Sequence, residues 1–369
     1  MKTITVSVIS DLTTDQRVIR ICTTLTQMGF KVNVIARSFK DSLPLEQYPF
    51  AACRLKCFFR KGFMQYAEFN IRLFIKLAFA KTDNYLANDL DTLMPNYLWS
   101  KIKNKKIFYD THEYFTGVPE LKDSPTKTKI WKKIEDFIFP KIQTVYTVNN
   151  AVKNKYIAEY GNEIAVVRNV PKQVVASSME MPQKWQGKKI LLMQGAGINE
   201  GRGGMELLLA MQYLPVNFHL LFIGSGTLWD AIVQKRTELG LQNTVEMIAK
   251  LPPSELQKIT PLAHLGFSLD SFEDLNCLYN LPNKIFDYMQ VGVPVIATAI
   301  PEVKAIIDQY KYGICITDSS PKNIANTIVQ ITKDTDAYNI LKANCATAAK
   351  ELNWEKESII LQEIYKPFL

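Results

Sequence analysis

Short β-branched apolar runs alternate along the chain with stretches whose apolar residues recur every three or four positions. That alternation predicts a parallel α/β protein, because each parallel strand needs a crossover helix before the next. Thr3 to Ile9 reads as a strand. Val18, Ile21, Cys22, Leu25 and Met28 then keep helical spacing, and Gly29 ends that helix. Lys31 to Ala36 is the next strand. Gln65 to Ala80 reads as an amphipathic helix with Arg72, Lys76 and Lys81 on its polar side. Its apolar residues are expected to pack on a sheet, the alternative being a membrane surface. Tyr85 to Ala87, Lys106 to Tyr109 and Thr144 to Val148 read as strands, and Asn149 to Tyr160 as a helix stopped at Gly161.

The pattern breaks between Arg168 and Lys188, where Val170-Pro171, Ser177-Ser178 and Met181-Pro182 interrupt any regular element. A second alternation opens at Lys189 to Gln194 and continues with a strand at Phe218 to Ile223 and a helix at Leu228 to Leu239. Ser254 and Gln257 have the spacing of a capping box. Asn353 to Tyr365 is a final amphipathic helix. A chain of 369 residues exceeds what one core usually serves, so two domains are expected. They are placed at residues 1–170, joined by the C-terminal helix 350–369, and at residues 171–349. Ligands of such sheets bind at strand C-termini, in a cleft.

Composition narrows the class. Hydrophobic residues make up 47% and charged residues 22%, as in ordinary soluble globular chains. The six cysteines are scattered and lack the paired spacing of a zinc site or disulfide framework, which points to a reducing cytoplasm. The first nine residues are too short and too β-branched for a signal peptide, and no uncharged apolar run would span a bilayer. A net charge of +8 without a recognisable nucleic-acid module argues against nucleic acid. Basic patches such as Lys101 to Lys106 are compatible with peripheral contact at an anionic membrane, or simply with a solvated face. No zinc, calcium or haem pattern is present.

Three stretches carry candidate chemistry. Leu281 to Ala297 reads as loop, helix, glycine stop and buried strand. Pro282 suits the first helical position, Gly292 the left-handed stop, and Val293 to Ala297 a strand covered on both faces. Lys284 and Asp287, three apart, share the helix face near its positive end, where phosphate binds. An ordinary surface ion pair would give the same pattern. Gly195 to Gly204 follows a strand and opens a helix. Gly195, Gly197 and Gly203 would let a phosphate approach the backbone, and Arg202 could clamp diphosphate oxygens; a tight structural turn is the alternative. Asp110-Thr111-His112-Glu113 ends a strand, and His112 is the only one of three histidines at a strand C-terminus. A hydrogen-bonded turn residue is its plain reading.

These motifs resemble glycosyltransferase family 4 and its relatives, which have the GT-B fold of two Rossmann-like α/β domains facing across a cleft, the C-terminal helix crossing back to the first. Val291-Gly292-Val293-Pro294-Val295-Ile296 matches the family's run after its second glutamate, which aligns with Asp287. Pro282-Asn283-Lys284 is similar to a branch linked to bacterial surface polysaccharides. The family's first glutamate falls on Tyr279, and the first of its two phosphate-holding bases on Ala196, so both are missing; Arg202-Gly203 stands at the second base.

The resemblance implies a retaining, metal-independent glycosyl transfer from a nucleotide-diphosphate sugar to a hydroxyl on a saccharide or lipid-linked saccharide, with no further cofactor, in polysaccharide or glycoconjugate synthesis. Such an enzyme would work in the cytoplasm or at the inner face of the membrane. The resemblance casts His112, Arg202 and Lys284 as catalytic. Gly195, Gly197, Gly203, Gly224, Leu251, Asn283 and Asp287 become donor contacts, with Asp287 on the ribose. Asp15, Arg17 and Glu113 fall on the acceptor side, although Asp15 would serve equally as a helix cap. A sugar-nucleotide epimerase of the same fold and a non-catalytic, nucleotide-sugar-binding subunit are the rival readings.

Overall fold

The computed structural model describes residues 1–40, 42–118, 121, 124–174, 179–195, 197–272 and 275–369. Ala196 and the Ser177-Ser178 break lie outside them. The chain forms two compact units, Met1–Asn169 with Glu355–Leu369, and Val170–Trp354.

The first unit is built on seven strands: β1 (Thr3–Ser7), β2 (Lys31–Ser38), β3 (Ala51–Lys56), β4 (Asn84–Asn88), β5 (Lys106–Thr111), β6 (Thr144–Thr147) and β7 (Ile164–Val166). They pair in parallel in the order β3-β2-β1-β4-β5-β6-β7. The helices between them are α1 (Gln16–Gln27), α2 (Gly62–Ala78), α3 (Leu90–Ile102), α4 (Pro125–Ile138) and α5 (Asn150–Tyr160). Asp15 caps α1 by accepting the Val18 N–H at 3.1 Å. Gly161 closes α5 in the left-handed conformation that its lack of a Cβ permits.

Helix α2 follows its sequence reading on one face only. Phe69, Leu73 and Leu77 pack on Ile35 and Tyr85 of the sheet. Met64, Ile71 and Ile75 face outward and stay exposed. The basic run 101–106 is also less free than its composition suggests. The Lys103 ammonium donates to the carbonyls of Leu77, Ala78 and Ala80 at 2.8–3.0 Å, neutralising the end of α2. Lys105 pairs with Asp83.

The second unit holds β8 (Lys189–Gly195), β9 (Phe218–Gly224), β10 (Val245–Ala249), β11 (Leu265–Ser268), β12 (Val295–Thr298) and β13 (Gly313–Ile316), all parallel in the order β10-β9-β8-β11-β12-β13. Its helices are α6 (Gly204–Ala210), α7 (Trp229–Glu238), α8 (Pro253–Ile259), α9 (Leu275–Leu278), α10 (Lys284–Gln290), α11 (Pro301–Tyr310), α12 (Pro321–Lys333) and α13 (Thr335–Glu351). The capping box does not form: Pro252 and Pro253 take the cap and first helical positions, which puts Ser254 inside α8. Pro282 likewise stands just outside α10, whose cap is Asn283. Gly292 does adopt a left-handed φ of 76°.

The last helix, α14 (Trp354–Tyr365), packs within the first unit from Glu355 onward. Tyr365 stacks on Phe108 at 4.3 Å, and its hydroxyl meets that of Tyr146 at 3.2 Å. Glu357 accepts from the Arg168 backbone and pairs with its guanidinium.

Candidate functional site

Each sheet reverses its strand order once, between β1 and β4 in the first unit and between β8 and β11 in the second. Ligands of doubly wound sheets bind beyond the strand C-termini at that point. In both units the charged candidates gather there.

In the second unit the turn after β8 is locked to its neighbours through backbone. Ile198 N–H donates to the Ser225 carbonyl at 3.0 Å and Ser225 N–H to Gly195 at 3.2 Å. Gly224 has no alternative: at its φ of 150°, a Cβ would lie 1.8 Å from the Gly195 carbonyl oxygen. Gly203, at a φ of 72°, would push a Cβ to 2.2 Å from that of Leu269. These two glycines are therefore required by packing, whatever else they do. Gly197 differs, since a Cβ there would meet nothing among the described residues nearer than 3.9 Å. Its small size leaves open space instead.

Arg202 projects from this turn and forms an ion pair with Asp270, which is 1% exposed just past β11. Ser271 N–H donates to the Gly201 carbonyl at 2.7 Å and ties the same two loops together. Lys284 opens α10 and senses the same acid. Burial pulls its pKa down, Asp270 opposes that, and Arg202 adds to it. Two cations thus share one carboxylate where the strands end.

Tyr288 sets the position of α10. Its hydroxyl donates to the Leu192 carbonyl at 3.1 Å and accepts the Gln194 N–H at 3.1 Å, while its ring occupies the space that a side chain on Gly266 would take. Asp287 lies in the first turn of α10, Asn283 is exposed at its cap, and Tyr279 stands in the turn before it. Leu251 follows β10 and packs in part on the core beneath α10.

In the first unit, Arg17 is 3% exposed and donates from Nε and Nη2 to Asp110 at 2.9 and 2.6 Å, and from Nη1 to the Val167 carbonyl at 2.7 Å. It was expected to face an acceptor. It instead anchors the end of β5 in the interior, because a buried guanidinium needs these partners. Asp15 is engaged as the α1 cap and by the Ser10 hydroxyl.

His112 is held from both sides. Its Nδ1 faces Asp89 at 3.1 Å, and its Nε2 faces Asp110 at 3.2 Å and Asn88 at 3.3 Å. Burial disfavours the charged ring, but Asp89 and Asp110 outweigh it and raise the pKa to about 9. Burial likewise works against Asp110, and Arg17 with His112 still holds its carboxyl below the usual range. A pocket of roughly 460 Å³ opens beside this cluster, lined by Asp89, Asp91, Glu113, Tyr66, Phe115 and Trp131 among others. Asp91 is 5% exposed, its Oδ1 has no hydrogen-bond partner among the described residues, and burial pushes its pKa well above the ordinary carboxylate value.

The structure thus joins Arg202 and Lys284 through Asp270, and His112 and Arg17 through Asp110. Asp89 and Asp91 belong to Asn88 to Leu93, a run that resembles the same surface-polysaccharide branch without a role attached to it; Asp270 was not singled out, although it follows β11 within three positions, the signal that marked His112. Among the described residues no group of three or more His, Cys, Asp or Glu is placed to hold a metal.

Residues 178–351, nearly all of the second unit, match the family model of glycosyl transferases group 1. D-inositol 3-phosphate glycosyltransferase of Corynebacterium urealyticum is 24% identical over 129 residues, which span 35% of this chain and 29% of that relative's length. Sucrose-phosphate synthase of Thermosynechococcus elongatus superposes with a TM-score of 0.82 at 15% identity, over 100% of this chain and 99% of that one. HepE of Anabaena, solved with UDP and glucose, gives 0.77 at 15% identity, over 100% of both chains. The fold is GT-B, with two Rossmann-like units on parallel sheets.

Proposed function

We propose that this protein is a glycosyltransferase that moves a sugar from a nucleotide-diphosphate donor to a hydroxyl of a saccharide or lipid-linked saccharide, retaining the anomeric configuration. The observation that carries the reading is the Arg202–Asp270–Lys284 cluster at the strand-order reversal of a glycosyl transferases group 1 domain. A leaving diphosphate develops negative charge, and preorganised cations stabilise it most where they need not reorganise. Asp270 holds Arg202 in place before the donor arrives. The open turn at Gly197 gives the phosphates backbone contact, and Asp287 accepts the ribose hydroxyls. A nucleotide-binding neighbour such as HepE supports this donor chemistry.

On the acceptor side, the pocket beside Asp89, Asp91 and Glu113 offers carboxyl groups for sugar hydroxyls and the rings of Tyr66 and Trp131 for sugar faces. His112 fixes the strand ends that carry two of these acids. The setting is polysaccharide or glycoconjugate synthesis at the inner face of the membrane, without a metal or added cofactor.

The test is transfer from a panel of nucleotide-diphosphate sugars to saccharide acceptors in the presence of a chelator, with the product anomer read by NMR. A glycosylated acceptor with the donor's configuration supports the proposal. Conversion of the donor sugar without acceptor would instead make the protein an epimerase. Donor binding that never leads to turnover would make it a binding subunit.

A further inference from the structure

The outward side of α2 and its flanks have an unusual composition. Between Lys56 and Lys81 the exposed cations are Lys56, Arg60, Lys61, Lys76 and Lys81. The exposed apolar residues include Phe58 (83%), Phe63, Met64, Ile71 (61%), Ile75 and Phe79 (82%). Apart from these, Phe59 and Gly62, nothing in that stretch is exposed, and no exposed residue there is acidic.

Helix geometry makes this one face. At about 100° per residue, Met64, Ile71, Ile75 and Phe79 fall within an arc of roughly 80°, opposite the buried Phe69, Leu73 and Leu77. A helix that packs one apolar face on its sheet ordinarily turns a polar one to water. The one acid within the helix, Glu68, is turned to a different use. It accepts the backbone N–H groups of Phe58 and Phe59 at 2.8–3.0 Å and pairs with Arg72, whose guanidinium lies 5.2 Å from the Phe58 ring. The two phenylalanines are thereby held out at the surface beside the helix start.

We propose that this face seats the protein on an anionic lipid bilayer, the apolar side chains entering the headgroup boundary and the five cations meeting lipid charge. Charge selects this occupant, because the exposed charges of the face are all cationic and its one acid, Glu68, is taken up by Arg72 and two backbone N–H groups. The inference names the surface by which the proposed transferase meets a membrane, yet it rests on exposure and charge and not on that activity.

The experiment is flotation of the full chain with phosphatidylcholine vesicles, with and without phosphatidylglycerol. The protein should float with the anionic vesicles, weaken with salt, and stay unbound to neutral ones. Ile71→Gln/Ile75→Gln/Phe79→Gln and Lys76→Glu/Lys81→Glu should each weaken binding by about 10-fold or more. Circular dichroism and nucleoside-diphosphate affinity should match wild type in both variants, which separates lost docking from lost folding. No binding of wild type to anionic vesicles, equal binding to neutral ones, or unaltered binding by folded variants would overturn the proposal. So would a lipid-free dimer that the isoleucine and phenylalanine changes dissociate. Because flotation needs no donor sugar, such a failure is distinct from a failure of the transferase reading.

Discussion

Asp89 grips His112 twice: its Oδ1 accepts the His112 backbone N–H at 2.7 Å, and its Oδ2 faces the ring Nδ1 at 3.1 Å. Asp89 itself sits at a φ of 57° and a ψ of 168°, a conformation that costs a non-glycine residue on the order of 1–3 kcal/mol. The double contact holds it there. Both ring nitrogens of His112 have partners, so this histidine acts first through its charge and its hold on the strand ends.

That charge makes stability depend on pH. The folded pKa of about 9 lies above the ordinary histidine value, so the contribution is complete below about 6.5 and is lost as pH rises through 9. The urea midpoint of wild type should fall over that window, and His112→Gln should flatten the fall. An equal fall in both would show that the ring is not clamped as an imidazolium.

His112→Ala should also separate binding from turnover. The nucleotide contacts proposed here all belong to the second unit, whereas His112 belongs to the first. Nucleoside-diphosphate affinity should therefore survive, while transfer drops by about 10²-fold or more through lost positioning. Wild-type transfer by the variant would remove His112 from the catalytic account.

Asp91 carries a buried oxygen with no partner among the described residues, and burial favours its protonated form. A carboxyl whose folded pKa is raised loses stability for the fold as pH climbs above its unfolded value near 3.9. Asp91→Asn, which cannot ionise, should thus be more stable than wild type at pH 7 in urea unfolding, by an amount of about 1–3 kcal/mol. A less stable variant would mean that the carboxylate has a favourable partner in solution.

The two kinds of glycine in the second unit should respond differently. Gly224→Ala must drive a Cβ into the Gly195 carbonyl and should destabilise the fold by more than about 1 kcal/mol. Gly197→Ala has room, so it should leave stability near wild type and lower nucleotide affinity instead. The reverse ranking in thermal unfolding would contradict this assignment.

Much of the architecture was legible because parallel strands buried on both faces are near-continuous apolar runs, as at Leu191 to Met193 or Phe218 to Ile223. Strands such as β3 escaped notice, since Ala51–Lys56 is a half-exposed edge with little β-branched character. The glycine-rich turn and Lys284 were visible as motifs. What a sequence of this kind conceals is pairing at a distance: Arg202 with Asp270 and Arg17 with Asp110 join positions 68 and 93 residues apart. The two faces of α2 were hidden for a related reason. Periodicity marks apolar residues but does not say which side the sheet will cover.

The most direct test of the donor site is a calorimetric titration of nucleoside diphosphates into wild type, Arg202→Ala and Lys284→Ala. Wild type should bind at least one of them, and each variant should lose about 1.5–3 kcal/mol of binding, roughly 10- to 150-fold in affinity, with its unfolding midpoint little changed. A wild-type protein that binds no nucleoside diphosphate, or two folded variants that bind as wild type does, would contradict the account.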